Sequence, residues 1–220
     1  MPQTPRPRRT DALSQEVVVA AAIELLDEHG ERGFTFKLLT ERLRTGAGAV
    51  YWHVANKDEL VTLAADRVLG AALTAGADAA GDPRAQLRAL ALAVYDALDP
   101  HPWAAPHVTV EPTLVNALRV LDRIGTLLSG TPVPAGRRFL VATAIFNYVT
   151  SLTAQDSARA ATVGRDTTRD AVFAAYAKHW EALDPVVFPF LTGAVDDLRD
   201  HDDREQFVTG LDLLLDGLPG

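Results

Sequence analysis

Apolar residues recur along this chain at spacings of three and four, the period of a helix with one buried face. From Ser14 to His29, Val17, Ala21, Ile23, Leu25 and Leu26 supply most of one apolar side, with Ser14 as N-cap and Gly30 as the stop. Phe36, Leu39 and Leu43 repeat the pattern over a shorter span, behind Thr35 as N-cap, with Lys37, Glu41, Arg42 and Arg44 on the other faces. Arg44, Thr45 and Gly46 interrupt it. A second short helix restarts at Ala47, turning Val50 and Val54 inward and leaving Tyr51, Trp52 and His53 to project. Two short helices joined at a steep angle describe a helix-turn-helix, although a plain surface hairpin has the same pattern. Asn56, with Glu59 three residues later, approaches a capping box and opens a helix from Lys57 to about Ala77 along Leu60, Leu63, Ala64, Val68 and Ala71.

Gly81, Asp82 and Pro83 mark a joint, with Asp82 as N-cap and Pro83 at the first helical position. The helix that follows runs to about Leu98 and turns Leu87, Leu90, Ala91, Val94 and Tyr95 inward. Pro100, Pro102, Pro106 and Pro112 break residues 99–112, and further helices are predicted at 113–128, 134–160, 167–183, 185–191 and 203–216. No strand signal of comparable strength and no fixed-period repeat is present, so the chain reads as all-α. In the helix at 134–160, Val141, Ile145, Tyr148 and Leu152 form one apolar stripe, and Ala142, Phe146, Val149 and Thr153 form the next. The last helix carries Phe207, Leu211, Leu214 and Leu215, with Leu213 and Leu218 beside them. Helices this apolar are buried on most sides. An intersubunit bundle in a homodimer accounts for both, and a monomeric core with both helices inside is the alternative.

Charge sharpens the picture. The 220-residue chain has a formal net charge of -8, and from Val61 onward 13 basic residues face 20 acidic ones. Between Arg32 and Lys57 the balance inverts: Arg32, Lys37, Arg42, Arg44 and Lys57 stand against Glu41 alone. Cationic charge confined to one end is what a phosphate backbone attracts. With no cysteine, disulfides and thiolate metal sites are excluded. No run is long and apolar enough to cross a membrane, and the N-terminus lacks a signal segment, so a soluble cytoplasmic protein is expected.

The segment YWHVANKDEL (Tyr51 to Leu60), preceded by the two short helices and the long one before them, resembles the tetracycline-repressor (TetR) family of transcriptional regulators. The likeness is close over about the first 70 residues; the HPW element at His101 to Trp103 and the ending FVTGLDLLLDGL are looser matches to the family's effector-binding domain. The resemblance implies a homodimer whose N-terminal helix-turn-helix reads a near-palindromic double-stranded operator and whose C-terminal helices bind a small molecule. It implies DNA contacts at Lys37, Ala47, Gly48, Ala49, Tyr51, Trp52, His53 and Lys57. Thr35, Thr45 and Gly46 complete that surface. Arg44, Thr45 and Gly46 depart from the family pattern of turn glycine, valine and capping serine. A turn that needs positive φ tolerates arginine poorly, so a shifted turn is expected.

Because residues 46–49 offer no side-chain hydrogen bonds, specificity is expected to lean on Lys37, Thr45, Tyr51, DNA shape and an N-terminal arm. That arm, residues 1–10, carries Arg6, Arg8 and Arg9 between prolines and is either a minor-groove contact or a mobile tail. The expected division is the arm, a DNA-binding domain at 11–71 and an effector-binding and dimerisation domain at 72–220. The helix from Lys57 bridges the last two, as an allosteric lever or a rigid connector.

Tyr95, His101, Trp103, His107, Phe146, Asn147, Thr150, Gln155, Tyr176 and Trp180 are the effector-pocket candidates, set against ordinary core packing for any one of them. A small apolar or aromatic effector suits them. His101 and His107 lie among prolines that fix no ligand geometry and have no carboxylate pair beside them, so no metal or other cofactor is expected. An enzyme is disfavoured: there is no cysteine nucleophile, no HExxH, no glycine-rich phosphate loop and no serine, histidine and acid set. A repressor released by its effector is the leading reading. An effector-blind or activating regulator, and a helical ligand carrier that never meets DNA, remain alternatives.

Overall fold

The protein is known here from a computed structural model that describes residues 13–75, 81–111, 113–162 and 168–219. Arg6, Arg8 and Arg9 lie outside the described residues, as does the rest of the expected arm. Every regular element among the described residues is helical: α1 (Gln15–Gly33), α2 (Phe36–Leu43), α3 (Ala47–Tyr51), α4 (Lys57–Ala75), α5 (Pro83–Leu98), α6 (Ala104–Val110), α7 (Val115–Ser129), α8 (Ala135–Thr162), α9 (Arg169–Glu181), α10 (Pro189–Gly193), α11 (Val195–Arg199) and α12 (Asp203–Asp216). No helix among them is long and apolar enough to cross a membrane.

Side-chain caps start these helices where the sequence placed them. Ser14 Oγ accepts from Val17 N, Thr35 Oγ1 from Leu38 N, Asp82 Oδ1 from Ala85 N and Asn56 Oδ1 from Glu59 N. Each cap satisfies a backbone donor that the first turn leaves without a partner. Gly30, at φ 67°, ends the regular part of α1, and Phe34 N donates back to its carbonyl.

The N-terminal head consists of α1, α2, α3 and the start of α4. Its centre is Leu25, Leu26, Phe34, Leu39, Val50 and Leu60, all at most 2 % exposed. At roughly 1.5–3 kcal/mol for each fully buried large side chain, this cluster is what holds such short helices in place. The face that α1 buries is Val18, Val19, Ala21, Ala22, Leu25 and Leu26, whereas Val17 is 39 % exposed. Residues 17–23 are apolar without a break, so the helix phase there is set by Leu25 and Leu26, which put Val18 and Ala22 in line and Val17 outside.

α4 leaves the head and packs against α1, α5, α6 and α7, while α5, α7 and α8 pack on one another and α12 closes against α8 and α5. α9, α10 and α11 pack chiefly among themselves. Within 99–112, read from sequence as broken, α6 forms across Pro106, the third residue of the helix. The N–H that proline lacks is one that an N-terminal turn would leave unpaired anyway. α11 had no counterpart in the sequence reading, and the short helix expected at 185–191 lies at Pro189–Gly193. α8 and α12 approach closely at Gly210, where an added Cβ would sit 2.2 Å from Tyr148 Oη. That hydroxyl donates to Phe207 O at 3.0 Å.

Candidate DNA-binding surface and effector cavity

The turn between α2 and α3 keeps a left-handed residue despite the arginine. Arg44 has φ 49° and ψ 46°, and Thr45 N donates to Thr40 O at 3.0 Å, the six-to-one bond of a Schellman ending. The expected shift of this turn does not occur: the carbonyls ending α2 need these donors, and the fold accepts a side chain where glycine would be unstrained. Gly46 then caps α3 in extended backbone, with no side-chain bond.

Gly46, Ala47, Gly48 and Ala49 are exposed in a row, followed by Tyr51 at 55 % and Trp52 at 87 % exposure. The Tyr51 ring leans on Phe36 at 5.0 Å between centroids. Val50 and Val54 hold the element from beneath, at 0 % and 2 % exposure. His53 is half-buried, and its carbonyl accepts from Gln15 Nε2. Thr35 and Lys37 are exposed at the start of α2, and Thr45 is half-buried in the turn.

The cations divide into two groups. Arg32, Lys37 and Arg44 are exposed. Arg42 is held by α1, with Nη2 2.6 Å from Glu28 Oε2 and Nη1 2.8 Å from Glu24 Oε2. Donation to Glu28 raises its pKa most; desolvation opposes this, and donation to Glu24 adds a smaller rise. Lys57 Nζ donates to Glu31 O at 2.6 Å and Phe34 O at 2.9 Å, and sits over the Phe34 ring. It therefore caps carbonyls at the C-terminal end of α1, leaving one of its three N–H donors for any other partner. The local positive balance read from sequence is smaller in effect, because Glu24 and Glu28 of α1 neutralise Arg42.

In the larger helical part, a cavity of about 10 Å³, room for about one water molecule, is lined by Leu90, Ala91, Val94, Val120, Ile124, Phe146, Val149 and Thr150. Of the ten pocket candidates, only Phe146 and Thr150 reach it. Thr150 Oγ1 donates to Phe146 O at 2.9 Å, so its hydroxyl is already satisfied. Tyr95 is buried and stacked on Phe207 at 4.3 Å. Burial, followed by the negative charge of Asp99, Asp156, Asp203 and Asp202, pushes its hydroxyl pKa well up. Asn147 and Gln155 are exposed, Tyr176 is exposed beside Phe173, and Trp180 is half-buried.

His101, Trp103 and His107 face the head instead. Asp27 Oδ1 accepts from Trp103 Nε1 at 2.7 Å and lies 2.7 Å from His101 Nδ1, while Glu31 Oε2 is 3.0 Å from His107 Nε2. The aliphatic cavity lining and these carboxylate partners were not singled out from sequence. The first looks like any core, and Asp27 and Glu31, four apart in sequence, lie on either side of the break at Gly30, so their spacing does not mark one helix face.

Residues 18–64 match the model of the bacterial regulatory proteins of the tetR family, and residues 75–219 match the tetracyclin repressor-like C-terminal domain. The chain belongs to the TetR family of transcriptional regulators. A TetR-family chain is a DNA-binding regulator, and its relatives agree with that. An HTH-type transcriptional regulator of Saccharopolyspora erythraea is 30 % identical over 84 % of this chain and 76 % of its own. The structure of SCO7222, a TetR from Streptomyces coelicolor, superposes with a TM-score of 0.79 at 40 % identity, covering 94 % of this chain and 97 % of that one. ActR of Streptomyces coelicolor, in complex with actinorhodin, shares the fold at a TM-score of 0.72 and 21 % identity, over 94 % and 97 % of the two chains.

Proposed function

We propose that this TetR-family regulator is a homodimeric repressor that grips a near-palindromic operator and is released from it by a small apolar or aromatic effector. The observation that carries the DNA reading is Trp52, the most exposed aromatic of the head, beside Tyr51 at the end of the helix that the buried Val50 fixes. A large aromatic left in water above a filled interior has a use outside the fold. Lys37, Thr35, Thr45, residues 46–49 and His53 complete the contact surface, with Lys57 at its edge and Arg6, Arg8 and Arg9 as the arm. The division behind this reading is a head at 11–71 and a core at 72–220.

The dimer rests on the outer faces of α8 and α12, where Phe139 and Leu213 are each 70 % exposed, Leu140 is 64 % exposed and Leu214 is 37 % exposed. Two copies apposed there cover this apolar surface and point two heads at one duplex. The effector site is the cavity between α5, α7 and α8, widened by helix displacement. Its lining, in which the Thr150 hydroxyl is already satisfied, calls for an apolar body. The smallness of the cavity favours a second reading, a regulator without an effector. Thermal denaturation against a panel of aromatic natural products separates the two, since a ligand of the folded state raises its melting temperature and an effector-blind chain shows no shift. Selection from randomised duplexes tests the DNA reading: enriched half-sites in mirror arrangement are expected, and an unenriched pool contradicts it.

A further inference from the structure

α6 stands between the cavity and the head. It packs on α8, which contributes Phe146, Val149 and Thr150 to the cavity, and on α4, which begins in the head. Its own buried residues, Trp103 just before it and Ala104, Ala105 and Val108 within it, anchor it to the core. The side chains on its other side reach α1. One carboxylate oxygen of Asp27 takes both the Trp103 indole N–H and the His101 ring nitrogen, from residues 76 and 74 positions away in sequence. Glu31, just past the break at Gly30, takes His107. The Glu31 main-chain carbonyl then holds the ammonium of Lys57, the first residue of α4. A continuous run of contacts thus leads from the cavity-wall helix through α6 and Glu31 to the edge of the reading surface.

We propose that this α1–α6 latch, made by Asp27, Glu31, His101, Trp103 and His107, sets the orientation of the head relative to the core. These are positioning residues. Its consequence for operator binding rests on the DNA-binding reading above. Hydrogen bonds to ionised groups at 2.7–3.0 Å are stronger than neutral ones, and two carboxylates, one on each side of the break at Gly30, restrain the head at two points as a single one would not. With the latch made, the head meets DNA already ordered. With it broken, that freedom is lost only on binding and opposes association.

The chain has no cysteine, so Glu41→Cys on the exposed face of α2 places one fluorescent label on the head of the full-length protein. In the otherwise unaltered protein, time-resolved anisotropy is expected to show the label tumbling with the whole particle. Asp27→Ala combined with His107→Gln is expected to add a faster segmental component and to weaken binding to the selected duplex about tenfold with an unchanged salt slope. Trp103→Phe keeps an aromatic side chain, smaller than the indole, and removes the N–H, and is expected to show a smaller change in the same direction; it carries the test should the double variant not fold. Contacts that merely stabilised the fold would lower the melting temperature and leave both readouts alone. An unchanged anisotropy decay, or unchanged or tighter operator binding, overturns the proposal. A freed head in a protein that selects no duplex at all leaves the latch standing and removes the DNA-binding reading instead.

Discussion

In the head, Leu25, Leu26, Phe34, Leu39, Val50 and Leu60 fill the interior, and the aromatics left outside, Tyr51 and Trp52, lie at one tip. In the core, the interior keeps a small cavity, and the apolar residues left outside spread over α8, α12 and the stretch at Val186, Val187, Phe188 and Phe190. The head is a rigid support for a surface. The core keeps a small unfilled space inside and its exposed apolar residues along broad faces. Mutations should therefore separate: at the head tip they change binding with little effect on folding, and in the core they change folding first.

Phe207→Ala is expected to have the largest effect on folding, about 3–5 kcal/mol, because the ring is fully buried and stacks on both Tyr95 and Tyr148. Chemical denaturation measures this, and a loss below 1 kcal/mol would mean that α12 is not tied to the core as described. Gly210→Ala is expected to cost about 1–3 kcal/mol, since the new methyl must displace Tyr148 Oη from its bond to Phe207 O. If α8 and α12 form the subunit interface, the same change also weakens the dimer, which sedimentation at dilute concentration reads.

Arg44→Gly tests the comparison from the other side, because folding and binding should move in opposite directions. Relief of the left-handed arginine is expected to stabilise the head by roughly 0.5–1 kcal/mol, while loss of an exposed cation lowers the salt slope of operator binding by about one. The smallest effect is a pH dependence in the core. Arg88 donates to both oxygens of Asp212, at 2.6 and 3.1 Å, and that hydrogen bonding holds the Asp212 carboxyl below its ordinary range. The folded value being the lower one, the contribution is complete above the ordinary aspartate value of about 3.9 and disappears as pH falls through the folded value. Both side chains are 41 % exposed, so less than about 1 kcal/mol is expected. The melting-temperature difference between the unaltered chain and Asp212→Asn should vanish in strong acid.

The two regions were also unequally legible in the sequence. Ser14, Thr35, Asn56 and Asp82 were readable as caps because a cap acts on a donor two or three residues ahead, so the whole interaction lies in a short window. The unbroken apolar run at 17–23 carried no phase, and Val17 was assigned to the wrong side. At Arg44 the residue type argued against a left-handed turn, and bonds made by its neighbours outweighed it. His101, Trp103 and His107 were visible as groups needing partners, but a local pattern cannot say that those partners are Asp27 and Glu31. The cavity was the least legible feature, since Leu90, Val94, Val120 and Ile124 differ in nothing from ordinary core residues until helix packing leaves a gap beside them.

The most direct measurement is the affinity and stoichiometry of a selected duplex for the unaltered chain and for Tyr51→Ala combined with Trp52→Ala. With contacts of about 1–3 kcal/mol each, the variant should fold with a nearly unchanged melting temperature and bind at least about a hundredfold more weakly, and the unaltered protein should place two chains, or a multiple of two, on each duplex. Equal affinity in the two proteins, or one chain per duplex, would contradict the account.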